Sequence, residues 1–240
     1  DGQIIRPNSP CMINAKENLL DLDLEIHDKN LMACFVLGLD DSMDSIMKMW
    51  SDAATIYAGA GGAGIPITNL REAGSKISIG GVASGPLKYL DVIEVISNTV
   101  KSGGKSRRAA NLGSFWFRHP DIINLINSKI NKDKFSAINV SVLVTDEFMN
   151  DVKNKNFNKE IDLISPNGNK IVGQITTGEL WDAIVNATWT CADPGLLFYD
   201  TCNRFNPFPS HGHVEATNPC GEIALPPHHC CVLTAINLNK

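Results

Sequence analysis

The sequence predicts an α/β fold with a partly parallel sheet, on three observations. Stretches with helical spacing alternate with short apolar runs rich in β-branched residues. Glycine-rich, thiol-bearing and basic segments fall between these elements, where a scaffold presents its loops. No internal repeat, low-complexity tract or linker divides the chain, so residues 1–240 read as one domain.

In chain order, the run ACFVL begins an apolar segment at Ala33 and Cys34. Residues 41–57 place Met43, Ile46, Met47, Trp50, Ala54 and Tyr57 at three-and-four spacing behind an Asp/Ser start, which predicts an amphipathic helix with Asp41 as a candidate N-cap. AGAGGAGIPI then breaks that helix, and its glycines let a backbone run close to another segment. A second glycine turn, 78–85, leads to Pro86, which starts a helix reaching about Val100. The basic loop KSGGKSRR (101–108) follows. His119-Pro-Asp is expected to begin a third helix carrying Ile122, Ile123, Ile126 and Ile130. FSAINVSVLVT (135–145) reads as a buried strand and Thr145 as the cap of a short helix. Residues 160–175 read as a hairpin around Pro166-Asn-Gly-Asn169, and a helix near 177–190 leads to a strand at Leu196–Tyr199. The chain closes on a final strand over Val232–Leu238. A strand that finishes at the last residues implies a piece of something longer, or a half that needs a partner.

Composition narrows the function classes. With 43% hydrophobic and 20% charged residues the chain is an ordinary globular one. A net charge of −5 argues against a nucleic-acid surface, so the local cationic loop 101–108 suits an anionic small ligand better. No stretch approaches the ~20 apolar residues of a membrane helix, and no signal segment opens the chain, which favours a cytoplasmic protein. Seven cysteines, an odd number unevenly spread, do not form a secreted disulfide framework, so reduced thiols are the expected state.

The densest chemistry lies in NPCGEIALPPHHCC, residues 218–231. Zinc is one reading, but there is no CxxC pair, and adjacent cysteines seldom both bind one tetrahedral ion. His228 and His229 accordingly read as solvent-facing loop residues, and no metal is assigned. Thiol redox is the second reading: if the strands beginning at Cys34 and Cys231 are neighbours, those thiols can form a reversible disulfide beside Cys220. On composition alone, buried inert cysteines remain open for each of them.

An ordered set of motifs carries a resemblance. It runs through SPCMIN from Ser9, ACFVL from Ala33, GGAG from Gly61, GGVASGP from Gly80 and KSGGK from Lys101 with Arg107 and Asn111. It continues through HPD from His119, NVSV from Asn139 with TDEF from Thr145, NPCGE from Asn218, and Cys231 ahead of AINL. In this order and spacing the set resembles the catalytic subunit of ribonucleotide reductase across nearly the whole chain. The form NPCGE, with two prolines and a cysteine eleven residues after the first, is most similar to the adenosylcobalamin-dependent class II enzymes.

The resemblance implies the first half of a ten-stranded α/β barrel, with a central finger loop carrying Cys220 as the radical cysteine. It implies adenosylcobalamin as cofactor, Cys220 as a transient thiyl radical, Glu222 as general base toward the ribose 3′-hydroxyl and Asn218 as a hydroxyl-holding amide. Cys34 and Cys231 become the reducing pair, reset by an external dithiol of the thioredoxin type, while Cys230 is expected to point the other way. Ser9, Ala33, Cys34, Gly62 and Asn218 would border the ribonucleotide substrate. Asp41, Arg71, Lys101, Arg107 and Arg108 would bind a deoxynucleoside triphosphate effector. Cys11, Cys191 and Cys202 are left as structural. The partner required is the missing C-terminal half, without which the isolated chain is expected to be inactive. The competing function is a non-catalytic nucleotide-binding half-barrel that interacts with another subunit.

Overall fold

A computed structural model of the chain describes residues 5–7, 32–78, 80–100, 109–130, 134–232 and 234–236. Its strands are β1 (Ile5–Pro7), β2 (Cys34–Val36), β3 (Gly62–Pro66), β4 (Asn111–Trp116), β5 (Ile138–Val144), β6 (Glu160–Ser165), β7 (Lys170–Thr176), β8 (Gly195–Phe198), β9 (Ala216–Thr217), β10 (Ala224–Leu225), β11 (His229–Cys231) and β12 (Thr234–Ile236). Its helices are α1 (Met43–Ala58), α2 (Pro86–Thr99), α3 (Ile122–Ile130), α4 (Asp146–Lys153), α5 (Thr177–Cys191) and α6 (Tyr199–Arg204).

The main sheet has six strands in the order β11-β2-β3-β4-β5-β8. Strands β2, β3, β4, β5 and β8 are mutually parallel, and β11 runs antiparallel along the outer edge of β2. Helices α1, α2 and α3 connect successive parallel strands, as parallel pairing demands. The β6–β7 hairpin and α4 and α5 are inserted between β5 and β8.

Alternation along the strands separates the two faces of the sheet. Ala63 and Ile65 of β3, Phe115 of β4, and Ile138, Val140, Val142 and Val144 of β5 pack on the apolar sides of the helices and make the core. The opposite face is covered by the β9–β10 hairpin, with Val36, Ala216 and Leu225 forming a smaller apolar cluster there.

Local chemistry accounts for the helix ends. The Ser42 side chain accepts from the Ser45 N–H and caps α1. Thr145 accepts from Phe148 N–H at α4, and Thr176 with Glu179 closes a capping box on α5. Gly85 ahead of Pro86 starts α2 as expected.

Several expectations shift. Asp41 is not the cap of α1; Ser42 holds that place, and Asp41 turns to Arg71. The buried stripe of α1 is Ile46, Met49, Ala53 and Tyr57, while Met43 and Met47 are 59% and 55% exposed, because packing against the sheet selects among positions that helical spacing allows equally. The third helix begins at Ile122. His119 is instead buried, its Nε2–H donating to Leu70 O while Nδ1 accepts from Asp121 N–H. Burial lowers its pKa, so it is a neutral brace between the turn after β3 and the start of α3. Tyr199 opens α6 rather than ending a strand, and the expected last strand is interrupted after Cys231, with Thr234–Ile236 pairing with β1 instead.

Candidate active site

The site is assembled where β2 and β11 begin and end. Their register sets Cys34 directly opposite Cys231 and Phe35 opposite Cys230. Directly opposed residues on antiparallel strands have Cα atoms ~4.5–5.5 Å apart, inside the span a disulfide accepts. Both cysteines are free thiols. Cys231 faces the small cluster of Val36, Ala216 and Leu225, whereas Cys230 is exposed with its Sγ near Met32 Sδ. The expected opposition of these neighbouring side chains therefore holds.

The hairpin delivers the remaining groups. Between β9 and β10 the chain makes a tight turn closed by Gly221 N–H donating to Asn218 O, 3.0 Å. Gly221 takes φ +81°, a conformation that favours glycine. Cys220 is exposed at this turn and Pro219 is buried beneath it.

Asn218 is fully buried and links turn to thiol. Its Oδ1 accepts from Ile223 N–H at 3.1 Å, and its Nδ2 donates to Cys34 Sγ at 3.2 Å. The Cys34 thiol lies 3.7 Å from Glu222 Oε1. Four of the predicted catalytic residues are thus brought into one constellation: Cys34 of β2 and Cys231 of β11 meet Asn218 and Glu222 from the hairpin that also carries Cys220. Burial pushes the Cys34 thiol up to about 11; the Asn218 amide opposes the shift, and Cys231 and the Glu222 carboxylate add to it. Burial also raises Cys231. At neutral pH both are proton-bearing thiols, able to give hydrogens and electrons together.

The hairpin sits against the sheet because the sheet has no side chains in its way. A Cβ on Gly64 would stand 1.7 Å from Thr217 O, and one on Gly62 would stand 2.8 Å from Pro219 Cγ. Gly62 and Gly64 therefore do let another segment approach, and they do so from within a strand. Asn139 of β5 donates to Pro219 O at 2.9 Å and Ser114 of β4 donates to Glu215 O. Asn139 was quoted above only as part of a motif; the signal of its role was a lone amide in a β-branched strand, on the face away from the helices.

Of the other predicted residues, Ala33 is buried beside Cys34, and its carbonyl accepts from Gly62 N–H, so both lie at the same end of the sheet as the thiol pair. Asp41 and Arg71 form an ion pair at 2.6 Å, each about a quarter exposed, at the other end of β2 and β3. Ser9, Cys11, Lys101, Arg107 and Arg108 lie outside the described residues. Cys191 and Cys202 are partly buried away from this constellation, and burial raises Cys202. Among the described residues no helix is long and apolar enough to cross a membrane.

Comparison with known proteins bears on the same constellation. The family model for "Ribonucleotide reductase, barrel domain" matches residues 32–240. A vitamin B12-dependent ribonucleoside-diphosphate reductase of Thermoplasma acidophilum is 41% identical over 236 residues, covering 98% of this chain and 29% of that protein. The Mycobacterium tuberculosis protein of the same description is 39% identical, with 98% and 32% covered. A vitamin B12-dependent ribonucleotide reductase of Streptomyces clavuligerus is 31% identical, with 99% and 26% covered. The chain spans less than a third of the length of these curated relatives. With the barrel-domain match running through every strand of the six-stranded sheet, the chain belongs to the ribonucleotide reductase family.

Proposed function

We propose that this chain forms the first half of a ribonucleotide reductase catalytic barrel and carries its thiol chemistry, reducing ribonucleotides to deoxyribonucleotides with adenosylcobalamin as cofactor. The observation that carries the reading is the convergence of Asn218, Glu222 and Cys231 on Cys34, beside the hairpin that bears Cys220. The mixed sheet supports it: mostly parallel strands carry helices on one face and the hairpin with Cys220 on the other, the arrangement a partial barrel with an inward finger loop would need.

The cofactor fits an exposed thiol at an open turn: a Cβ on Gly221 would meet nothing within 4 Å. When bound, adenosylcobalamin supplies the radical that removes the hydrogen atom of the Cys220 thiol. Cys220 then takes the ribose 3′ hydrogen and later returns it, a reversible exchange suited to an S–H bond. Glu222 accepts the 3′-hydroxyl proton. Cys34, held protonated by burial beside a carboxylate, gives its proton to the departing 2′-hydroxyl, which leaves as water. Two protons and two electrons from the Cys34 and Cys231 thiols convert C2′–OH to C2′–H plus water and leave a disulfide, which an external dithiol reduces by exchange, while Glu222 returns its proton to the 3′-oxygen. Asn218 orients Cys34 through the Nδ2 contact and offers its amide to the substrate hydroxyls as that contact is exchanged.

Ala33 and Gly62 border the ribose side of this site, and Ser9 joins them. Asp41 and Arg71 take the ribose and phosphates of a deoxynucleoside triphosphate effector, a phosphate competing with Asp41 for the guanidinium. Lys101, Arg107 and Arg108 complete that site from the basic loop. The remaining partner is the C-terminal half of the barrel.

The test is a single turnover in the intact protein with adenosylcobalamin, a dithiol and each ribonucleotide. Cys220→Ser yields no deoxynucleotide and no isotope exchange at the ribose 3′ position, because an alcohol O–H bond is much stronger than a thiol S–H bond. Product from Cys220→Ser overturns the radical reading.

A further inference from the structure

The segments flanking the β9–β10 hairpin carry a pair of imidazoles with no part in the chemistry above. His211 Nδ1 and His229 Nε2 stand 3.0 Å apart. The other ring nitrogen of His229, Nδ1, lies 2.9 Å from Pro227 O. A carbonyl only accepts, so Nδ1 carries the proton and Nε2 turns its lone pair toward His211. Phe208 packs on both rings, with centroid separations of 5.9 Å to His211 and 5.5 Å to His229.

We propose that His211 and His229 chelate one borderline divalent metal ion, of which Zn²⁺ is the reference, and that the ion clips together the two ends of the hairpin bearing Cys220. The first support is the bite. Two imidazole nitrogens at ~2.0–2.1 Å from one ion, at an angle between square and tetrahedral, stand roughly 2.9–3.4 Å apart. The observed 3.0 Å falls inside that span. The second is the backbone carbonyl on the remote nitrogen of His229, the arrangement that fixes the tautomer and ring orientation of metal-binding histidines. The third is placement: His211 precedes β9 and His229 opens β11, so the pair spans the base of the hairpin and joins it to the strand that carries Cys231.

The exchange balances without a redox step. In the metal-free pair His211 Nδ1–H donates to His229 Nε2; on binding, that proton moves to His211 Nε2, and both facing nitrogens donate lone pairs to the ion. Among the described residues no group of three or more His, Cys, Asp or Glu is placed to hold an ion, so water completes the shell. The site is therefore weaker than a closed structural zinc centre. Its effect is mechanical: two coordinate bonds replace one hydrogen bond across the loop, and opening of the hairpin becomes rarer.

The test titrates the intact, reduced protein with Zn²⁺ by calorimetry, repeats it with Cu²⁺ for electron paramagnetic resonance, and follows hydrogen exchange over residues 216–225. The expected result is one equivalent bound, nitrogen couplings from two imidazoles, and slower exchange in the hairpin with metal. His211→Ala and His229→Ala each weaken binding tenfold or more and abolish the protection, whereas His228→Ala leaves both unchanged. His211 is exposed at the end of a single 3-10 turn, Pro209–His211, so its truncation removes no buried packing and its variant is decisive alone. Binding that survives His211→Ala assigns the ion to the thiols and overturns the proposal, as does failure of the wild-type protein to bind.

Discussion

Replacing Gly64 by alanine tests the link between a bare strand and the placement of Cys220. The added Cβ would lie 1.7 Å from Thr217 O and 2.8 Å from Thr217 C. Both are backbone atoms, so no rotamer change relieves the clash, and the hairpin must retreat by about 1.5–2 Å to regain ordinary contact. Overpacking of this kind costs ~1–3 kcal/mol. The retreat also stretches the contacts from Asn139 to Pro219 O and from Ser114 to Glu215 O, each worth ~0.5–1.5 kcal/mol net. The sum is about 2–6 kcal/mol against the docked hairpin, which corresponds to roughly 30-fold or more in its opening equilibrium. Hydrogen exchange over residues 216–225 of the intact protein reads that quantity directly, and deoxynucleotide yield in a single turnover reads its consequence. Exchange in β5, whose outward residues belong to the helix-side core, stays as in the parent. Gly221→Ala is the contrast: its Cβ meets nothing within 4 Å, so only the local cost of φ +81°, about 1–2 kcal/mol, applies. Parental protection and product yield in Gly64→Ala would refute the reasoning.

Three further outcomes follow from the site. The raised Cys34 thiol, at about 11, means that its alkylation by iodoacetamide climbs with pH well beyond the range of an ordinary cysteine; since the unfolded thiol ionises first, stability falls as pH rises from 9.0 toward 11, and Cys34→Ser flattens that loss, read by denaturant midpoints. Mild oxidation joins Cys34 to Cys231 by peptide mapping, is unaffected by Cys230→Ser and is stopped by Cys231→Ser; a bond from Cys34 to Cys230 would shift the strand register by one residue. Arg71→Ala weakens deoxynucleoside triphosphate binding roughly 10- to 100-fold through loss of a charge-assisted phosphate contact, by calorimetry, and unchanged affinity would leave Arg71 as the partner of Asp41 alone.

What the sequence disclosed of the fold depended on which face a strand turns to the helices. β5 was legible because Ile138, Val140, Val142 and Val144 are all apolar and β-branched, and α5 was expected near 177–190, where the structure adds a Thr176–Glu179 capping box that had not been read from the sequence. β3 and β4 were not legible as strands. Their hairpin-facing positions include Gly62, Gly64 and Ser114, residues whose composition speaks for turns. These residues are small because another backbone lies on them, and that backbone is distant in sequence. No local pattern contains the reason. The misplaced stripe of α1 has a different origin: Met43 and Met47 satisfy helical spacing equally well, and only packing against the sheet selects Met49 and Ala53 over them.

The site follows the same division between local and distant causes. Adjacency of Cys34 and Cys231 could be written beforehand only as a condition, that two strand starts be neighbours, and the antiparallel register of β11 on β2 meets it. Asn218 was named for the hydroxyls of a substrate, yet its amide is committed at both ends within the protein, to Ile223 N–H and to Cys34 Sγ. A buried amide so placed couples the shape of the turn to the direction of the Cys34 thiol. Displacing the turn therefore has two effects at once: it moves Cys220, and it frees the Cys34 thiol to rotate away from Glu222. For this reason a substitution at Gly64, which touches neither Cys220 nor Cys34, is expected on the proposed mechanism to cost both the step assigned to Cys220 and the step assigned to Cys34.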